Sequence, residues 1–124
     1  MLMIDNLESR IETLWRLPDN IHYLENLQTL HLCHIELEEL PESIGELTNL
    51  KTLWLALNPL TTLPESICKL TNLVEFNLQY TQLKKLPKNI GKLTQLTSLD
   101  LEENPLSYEE WERLEKALPN CKFG

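Results

Sequence analysis

Residues 40–60 read LPESIGELTNLKTLWLALNPL, and this arrangement occurs four times along the chain with the same spacing. The Leu-Pro pair that opens each copy stands at residues 17–18, 40–41, 63–64 and 86–87, so the period is 23 residues. The apolar residues of the second copy are Leu40, Ile44, Leu47, Leu50, Leu53, Leu55 and Leu60, and the other copies repeat these offsets. Such a fixed period predicts a solenoid of stacked repeats, in which each unit packs against its neighbours.

The pattern LPxxIGxLxxLxxLxLxxNxL over residues 17–106 resembles the leucine-rich repeat family, whose units are roughly 20 to 29 residues long. The resemblance implies an α/β solenoid, a horseshoe with a short parallel sheet on its concave side and irregular or 3₁₀ turns on its convex side. The Leu-x-Leu segments agree with this fold. Because side chains alternate along a strand, Leu30 and Leu32 should point into the core and His31 away from it.

One offset of the repeat normally carries an asparagine in this family. Here the offset holds Ile35, Asn58, Thr81 and Asn104. The resemblance implies that the asparagine amide binds backbone groups of neighbouring turns, so we expect Asn58 and Asn104 to be buried. Ile35 has no polar side-chain group. Water or rearranged backbone should therefore replace the missing bonds there, and the N-terminal end should be looser.

Residues 107–124 break the period and predict a C-terminal capping helix with a tail. Ser107 and Glu110 have the spacing of a capping box, and Pro119 follows the expected helix end. The apolar residues on one stripe of this helix are Tyr108, Trp111, Leu114 and Leu118. The tail segment ALPNCKF, residues 117–123, resembles the closing segment of many bacterial leucine-rich repeat proteins, which implies a bacterial source.

Residues 1–16 are expected to form an N-terminal cap that covers the first repeat, and two structures remain open for it. A short amphipathic helix would place Ile4, Leu7, Ile11 and Leu14 on one face. A degenerate repeat, which we favour, would use Ile4, Leu7, Leu14 and Leu17. That register puts Ser9 and Glu12 at positions that should be apolar or asparagine.

Composition limits the environment and the partners of this 124-residue chain. Its net charge of −8 opposes nucleic-acid binding, and no apolar run is long enough to span a membrane. The N-terminus lacks the features of a secretion signal. The three cysteines, Cys33, Cys68 and Cys121, are odd in number and widely spread, which favours a reducing interior. We therefore expect a cytoplasmic monomer.

No arrangement of residues predicts catalysis or a cofactor. Gly45 and Gly91 stand alone at one repeat offset and do not form a phosphate-binding loop. His31, Cys33 and His34 are the one cluster of metal-ligand types, but all three occupy variable offsets and a fourth donor is not evident. We therefore predict a protein that is not an enzyme and has no metal site.

The variable offsets of the strands carry the functional signal. The candidate partner-binding residues are His31, Trp54, Leu57, Asn77, Tyr80, Asp100 and Glu102. Trp54, Leu57 and Tyr80 should lie exposed on the concave face, and the acidic residues that flank them towards the C-terminal end are Glu75, Asp100, Glu102 and Glu103. Aromatic side chains beside polar ones are typical of protein interfaces. This composition predicts a non-catalytic interaction module for a protein with a basic patch; an inhibitor or immunity protein is a specific form of this hypothesis.

Two other functions remain open. In a structural or assembly role, the edges or convex face of the solenoid would mediate association, and an exposed Trp111 would favour this alternative. A metal or small-ligand site at His31 would require a concave pocket rather than an open sheet.

Overall fold

A six-stranded parallel sheet, with its strands in chain order, organises the molecule. The computed structural model describes residues 2–5, 24 and 26–124, with side chains for residue 24 and residues 26–124. The strands are β1 (Leu2–Asp5), β2 (Thr29–Cys33), β3 (Thr52–Trp54), β4 (Glu75–Asn77), β5 (Ser98–Asp100) and β6 (Lys122–Phe123). The connections contain 3₁₀ turns at Glu42–Glu46, Glu65–Lys69 and Ile90–Lys92, and helix α1 spans Tyr108–Ala117. The predicted leucine-rich repeat solenoid is confirmed.

The 23-residue period sets the register of the sheet from β2 to β5. Leu30 pairs with Leu53, Leu53 with Phe76, and Phe76 with Leu99, so each repeat contributes one strand. These inward residues are fully buried, because the strands alternate between the core and the opposite face. They form one layer of a continuous core with the leucines and isoleucines of the 3₁₀ turns.

The return turns pack closely because small residues occupy one offset. A Cβ atom on Gly45 would lie 2.5 Å from the carbonyl oxygen of Ser66 in the next repeat, so only glycine permits this approach. Cys68 occupies the same offset one repeat later and is buried. Burial raises the pKa of its thiol to about 11, which keeps the thiol protonated at neutral pH.

Asn58 connects two repeats through its amide and is only 2% exposed. Its Oδ1 accepts hydrogen bonds from the Ile35 and Leu37 N–H groups at 3.1 and 3.0 Å. Its Nδ2 donates to the carbonyl oxygens of Leu32 and Leu55 at 2.7 and 2.9 Å. Asn58 therefore bonds back to the preceding repeat, whereas the turn to which an asparagine at position 35 would bond lies outside the described residues, so the expected loss of bonds there stays a prediction.

Asn104 makes the equivalent bonds at the other end, with its Oδ1 accepting from the Leu83 N–H at 2.8 Å and its Nδ2 donating to the Leu78 carbonyl at 2.7 Å. The side chain is only partly buried, contrary to the prediction, because a single helix rather than a further repeat follows it. Thr81 is buried between the two asparagines, and its hydroxyl lies within hydrogen-bond distance of the Leu78 carbonyl and the Asn104 amide oxygen.

Helix α1 is fastened to the fourth repeat by Glu110. Ser107 Oγ accepts from the Glu110 N–H at 3.1 Å, as half of the predicted capping box. The Glu110 carboxylate instead accepts from the Leu86 N–H at 2.8 Å and from Arg113 at 2.7 Å. Burial opposes the charged form, but the hydrogen bonds from Arg113 and Leu86 outweigh it and lower the pKa of Glu110.

The apolar stripe of α1 is shorter than predicted. Leu114 and Leu118 are buried, and Trp111 is partly buried and packs against the core. Tyr108, in contrast, is 75% exposed. Tyr108 is the first residue of the helix, one turn before Trp111.

The tail adds a strand that the sequence analysis missed. Strand β6 pairs with β5 through Lys122–Ser98 and Phe123–Leu99. The Phe123 ring contacts the Trp111 ring edge to face, with centroids 5.9 Å apart and planes at 84°. The free edge of β5 is therefore covered by the tail, and α1 holds that tail in place.

At the other end, β1 begins the sheet. Leu2 pairs with Leu30 and Ile4 with Leu32, which is five residues earlier than the 23-residue period would place them. A strand that continued the repeat register would have paired Leu7 with Leu30, so β1 does not continue that register. Leu7, Ser9, Ile11, Glu12, Leu14 and Leu17 lie outside the described residues, so their place in the N-terminal cap stays a prediction.

We expect Asn58→Ala to lower the free energy of unfolding by about 1–3 kcal/mol or more, because it leaves the Ile35 and Leu37 N–H groups buried without an acceptor. Urea denaturation measures this change. Asn72→Ala is the matched control, since Asn72 makes one exposed hydrogen bond to the Thr48 carbonyl and its loss should change stability by less than about 0.5 kcal/mol. Equal effects of the two substitutions would contradict the role assigned to Asn58.

Deleting residues 107–124 should give an oligomeric or insoluble product, because it exposes the hydrogen-bonding edge of β5 and the buried core side chains beneath α1. Size-exclusion chromatography with light scattering measures the outcome. A second truncation removes only residues 121–124, so it deletes β6 and keeps helix α1. Its product should oligomerise less than the product of the longer deletion. A monomeric product with unchanged melting after the longer deletion would contradict the capping role.

Candidate partner-binding surface

The outward residues of the central strands form a row across the concave face. His31 pairs with Trp54, Trp54 with Asn77, and Asn77 with Asp100. Neighbouring strands in a sheet lie about 4.8 Å apart, so the four side chains stand next to one another. The strand register thus brings together four of the seven residues that the sequence proposed for partner binding.

Trp54 is half-buried rather than facing solvent as the sequence predicted. Its ring stacks on His31, with centroids 4.2 Å apart and an angle of 9° between the planes. Its indole Nε1 donates a hydrogen bond to the carboxylate of Glu75. The cross-strand neighbours cover the ring because strand spacing is close to the preferred separation of stacked aromatic groups. The stacking and the hydrogen bond therefore hold the Trp54 ring in one orientation on the sheet.

The polar members of the surface are held by bonds to the turns that follow the strands. Asn77 Oδ1 accepts from the Gln79 N–H at 2.9 Å, and Asp100 Oδ1 accepts from the Glu102 N–H at 3.0 Å. The side chains of Gln79 and Glu102 also meet, with Nε2 and Oε2 2.9 Å apart. Each bonded carboxylate or amide oxygen keeps a second lone pair for a partner.

A second feature lies where the strands end. His34, Leu57, Tyr80 and Glu103 occupy one repeat offset, and each has a left-handed backbone with φ between 56° and 62°. The N–H groups of Leu57 and Tyr80 donate to the Gln79 and Glu102 carbonyls of the next repeat at 2.9 Å, which holds this conformation. Left-handed backbone costs about 1–2 kcal/mol for a residue other than glycine.

Leu57 and Tyr80 are exposed side by side at these ends, with 49% and 51% of their surfaces accessible. They line an open groove of about 450 Å³, here called the strand-exit groove. Its lining residues are His34, Leu57, Asn58, Pro59, Tyr80, Thr81, Gln82 and Glu103. Trp54 is not among them. The sequence expected Trp54, Leu57 and Tyr80 to form one cluster, but the left-handed turn places the last two in a separate groove.

Pro59 and Gln82, which also line the groove, were missed by the sequence analysis. Their grouping depends on the left-handed turn at the strand ends, and no glycine in the sequence marks that conformation. The shared repeat offset was the available signal.

Negative charge accumulates towards the C-terminal end of both features. Glu75, Asp100, Glu102 and Glu103 lie on the third and fourth repeats, on or beside β4 and β5. Within the described residues, β6 adds one cation to this face. This cation is Lys122, which pairs with Ser98. The surface therefore changes from aromatic and apolar at β3 to acidic at β5.

Residues elsewhere offer less for recognition. A cavity of about 470 Å³ beside α1 is lined by charges of both signs, and its Glu110–Arg113 pair already holds the helix to Leu86. Among residues 2–5, 24 and 26–124, no three His, Cys, Asp or Glu side chains are grouped to hold a metal ion. Within the same ranges, no helix has the length and apolar character required to cross a membrane.

The family model described as "Leucine-rich repeat region" matches residues 7–121, and the chain belongs to the leucine-rich repeat family. Proteins of this family are in general protein-interaction modules and typically lack catalytic activity. No curated protein shows significant similarity to the chain.

Solved structures with a similar fold include several bacterial proteins. A leucine-rich repeat protein of Leptospira interrogans is 41% identical over 87% of this chain, with a TM-score of 0.85. The leucine-rich repeat domain of the type III effector XopL is 30% identical over 75%, with a TM-score of 0.57. An internalin of Listeria monocytogenes, 22% identical over 83% with a TM-score of 0.68, shares the fold. The chain spans 28%, 42% and 29% of these three chains, respectively.

We expect a double-mutant cycle of His31→Ala and Trp54→Ala to give a coupling energy of about 0.5–1.5 kcal/mol, because the two rings stack across β2 and β3. Chemical denaturation of the two single variants and the double variant measures it. The pair His31→Ala and Asp100→Ala is the control, since β3 and β4 separate these residues and their effects should add. Additive effects for His31 and Trp54 would contradict the stacked arrangement.

Proposed function

We propose that the chain is a non-catalytic module that binds a partner protein through the outward row of the sheet and the adjoining strand-exit groove. The observation that carries the proposal is the pair of large apolar side chains, Leu57 and Tyr80, exposed next to each other in one groove. Half-exposed aromatic and aliphatic residues with a polar rim are typical of the residues that dominate binding energy at protein interfaces.

The backbone at Leu57 and Tyr80 supports the same proposal. Bulky residues rarely adopt a left-handed conformation, but at this offset the repeat imposes it on four different residue types. Glycine would relieve the strain at this offset, yet these two positions carry large side chains that the core does not bury. We infer that the exposed side chains serve binding rather than folding.

The charge distribution supports a partner with a basic patch. Acidic residues lie beside both the outward row and the groove, and the whole chain has a net charge of −8. Complementary charge mainly raises the association rate and favours the correct partner over others. An inhibitor or immunity protein acting on a basic enzyme is the specific form of this proposal, and we propose a bacterial source from the similar structures in Leptospira and Listeria.

The rival function is assembly through the solenoid edges or the convex face. An exposed Trp111 would favour it. Trp111 instead packs against the core and the Phe123 ring, which supports a capping role for this residue. We therefore place partner binding ahead of assembly.

Tyr80→Gly should abolish capture of the partner from the source cell lysate while leaving the free energy of unfolding within about 1 kcal/mol of the wild type. Glycine removes the exposed ring but relieves the left-handed backbone, so its effects on stability should largely cancel. Affinity capture followed by quantitative mass spectrometry measures binding, and urea denaturation measures stability.

Tyr108→Ala is the matched control, because Tyr108 is a tyrosine on α1 that is even more exposed than Tyr80 and lies outside both parts of the proposed surface. It should capture the same proteins as the wild type. Capture that depends on Tyr108 and not on Tyr80 would shift the interface to the capping helix and contradict the proposal.

A further inference from the structure

The side chains that line the strand-exit groove change from apolar to acidic along its length. Leu57 and Tyr80 stand on consecutive repeats, and Glu103 occupies the same offset one repeat later. A ligand that crosses the ends of β3, β4 and β5 therefore meets an apolar region first and a carboxylate next. Glu103 is exposed, and in the part of the chain that the structure describes its carboxylate has no hydrogen bond or ion pair.

Polar side chains in the floor of the groove are already engaged. The Asn58 side-chain amide is hydrogen-bonded to the backbone of the preceding repeat. The Thr81 hydroxyl lies against the Leu78 carbonyl and the Asn104 amide oxygen. Because these groups have internal partners, recognition in the groove falls to the exposed lining residues, among which Leu57 and Tyr80 supply apolar surface and Glu103 supplies the carboxylate, beside His34 and Gln82.

We propose that the groove receives an extended segment of the partner protein, with an apolar side chain seated between Leu57 and Tyr80. A lysine or arginine two residues away in the segment then meets Glu103. The inference rests on the proposed function, since it specifies the chemistry of the partner segment at that surface. Charge complementarity selects this occupant, because a segment with an acidic residue at the same place would face Glu103 and its neighbour Glu102.

The spacing of two residues follows from the geometry of the sheet. Neighbouring strands lie about 4.8 Å apart, so Glu103 is about 7 Å from the midpoint between Leu57 and Tyr80, one and a half strand spacings away. Residues i and i+2 of an extended chain point to the same side and are also separated by about 7 Å. Residues i and i+1 point to opposite sides, and residues i and i+4 are about 13 Å apart. A separation of two residues is therefore the one that fits.

A selection from random dodecapeptides displayed in many copies on phage tests the inference, because multivalent display reveals weak single contacts. The targets are the immobilised wild type, Glu103→Lys and the control Glu42→Lys. Glu42 is an exposed glutamate in the first described 3₁₀ turn, so its substitution changes net charge equally on the other side of the repeat. Circular dichroism melting verifies that each variant is folded.

The wild type and Glu42→Lys should both enrich peptides with lysine or arginine two residues from an apolar residue. Glu103→Lys should enrich aspartate or glutamate at that same position. A synthetic peptide of the enriched sequence should lose at least roughly tenfold in affinity on Leu57→Ser, which removes the apolar contact. It should lose roughly two- to fivefold on Glu103→Gln, in line with an exposed ion pair. Moving the basic residue of the synthetic peptide by one position should also weaken its binding roughly two- to fivefold, because the ion pair with Glu103 is lost.

Three results would overturn the inference. The first is the absence of enrichment on the wild type. The second is enrichment without a preferred spacing, or with no change of charge preference on Glu103→Lys. The third is binding that survives Leu57→Ser but is lost on Trp54→Ala; it would locate the peptide on the outward row, leaving the proposed function intact. Failure of the proposed function itself is detected separately, by the capture experiment with Tyr80→Gly and Tyr108→Ala.

Discussion

The parallel pairing of strands at a constant 23-residue offset is the constraint on which the rest of the structure depends. Each pairing fixes which side chains enter the core, because a shift by one residue would turn every inward leucine outward. The buried layer of Leu30, Leu53, Phe76 and Leu99 holds that register by packing. Asn58 holds it by hydrogen bonds between turns. The same register also lays the outward residues side by side, so the proposed partner surface is a consequence of core packing.

A solenoid with such a register has ends that its own repeats do not cover. At the C-terminal end, helix α1 and strand β6 meet this need together. Leu114 enters the core, Glu110 and Arg113 bind the Leu86 backbone, and β6 pairs with the edge of β5. The cap leaves Asn104 only partly buried, so the asparagine contacts are better shielded within the solenoid than at its end.

The strand-exit groove, our proposed recognition site, is built from the repeat itself and needs no dedicated domain. Its left-handed residues are held by bonds between the N–H groups of one turn and the carbonyls of the next. The scaffold therefore fixes a strained backbone and presents Leu57 and Tyr80 towards solvent. Since variation at this offset changes the exposed side chain and not the core, one fold can carry many different binding surfaces.

The repeat architecture, the inward and outward residues of β2 to β5 and the position of the capping helix could all be predicted from the amino-acid sequence. These features follow from local periodicity, which is visible in the order of residues. The pairing of β1 at a different offset and the added strand β6 depend on contacts between distant parts of the chain, and only the structure reveals them. It also separated Trp54 from Leu57 and Tyr80, because a left-handed turn without glycine leaves no signal in the sequence and the contacts of a ring depend on the neighbouring strands.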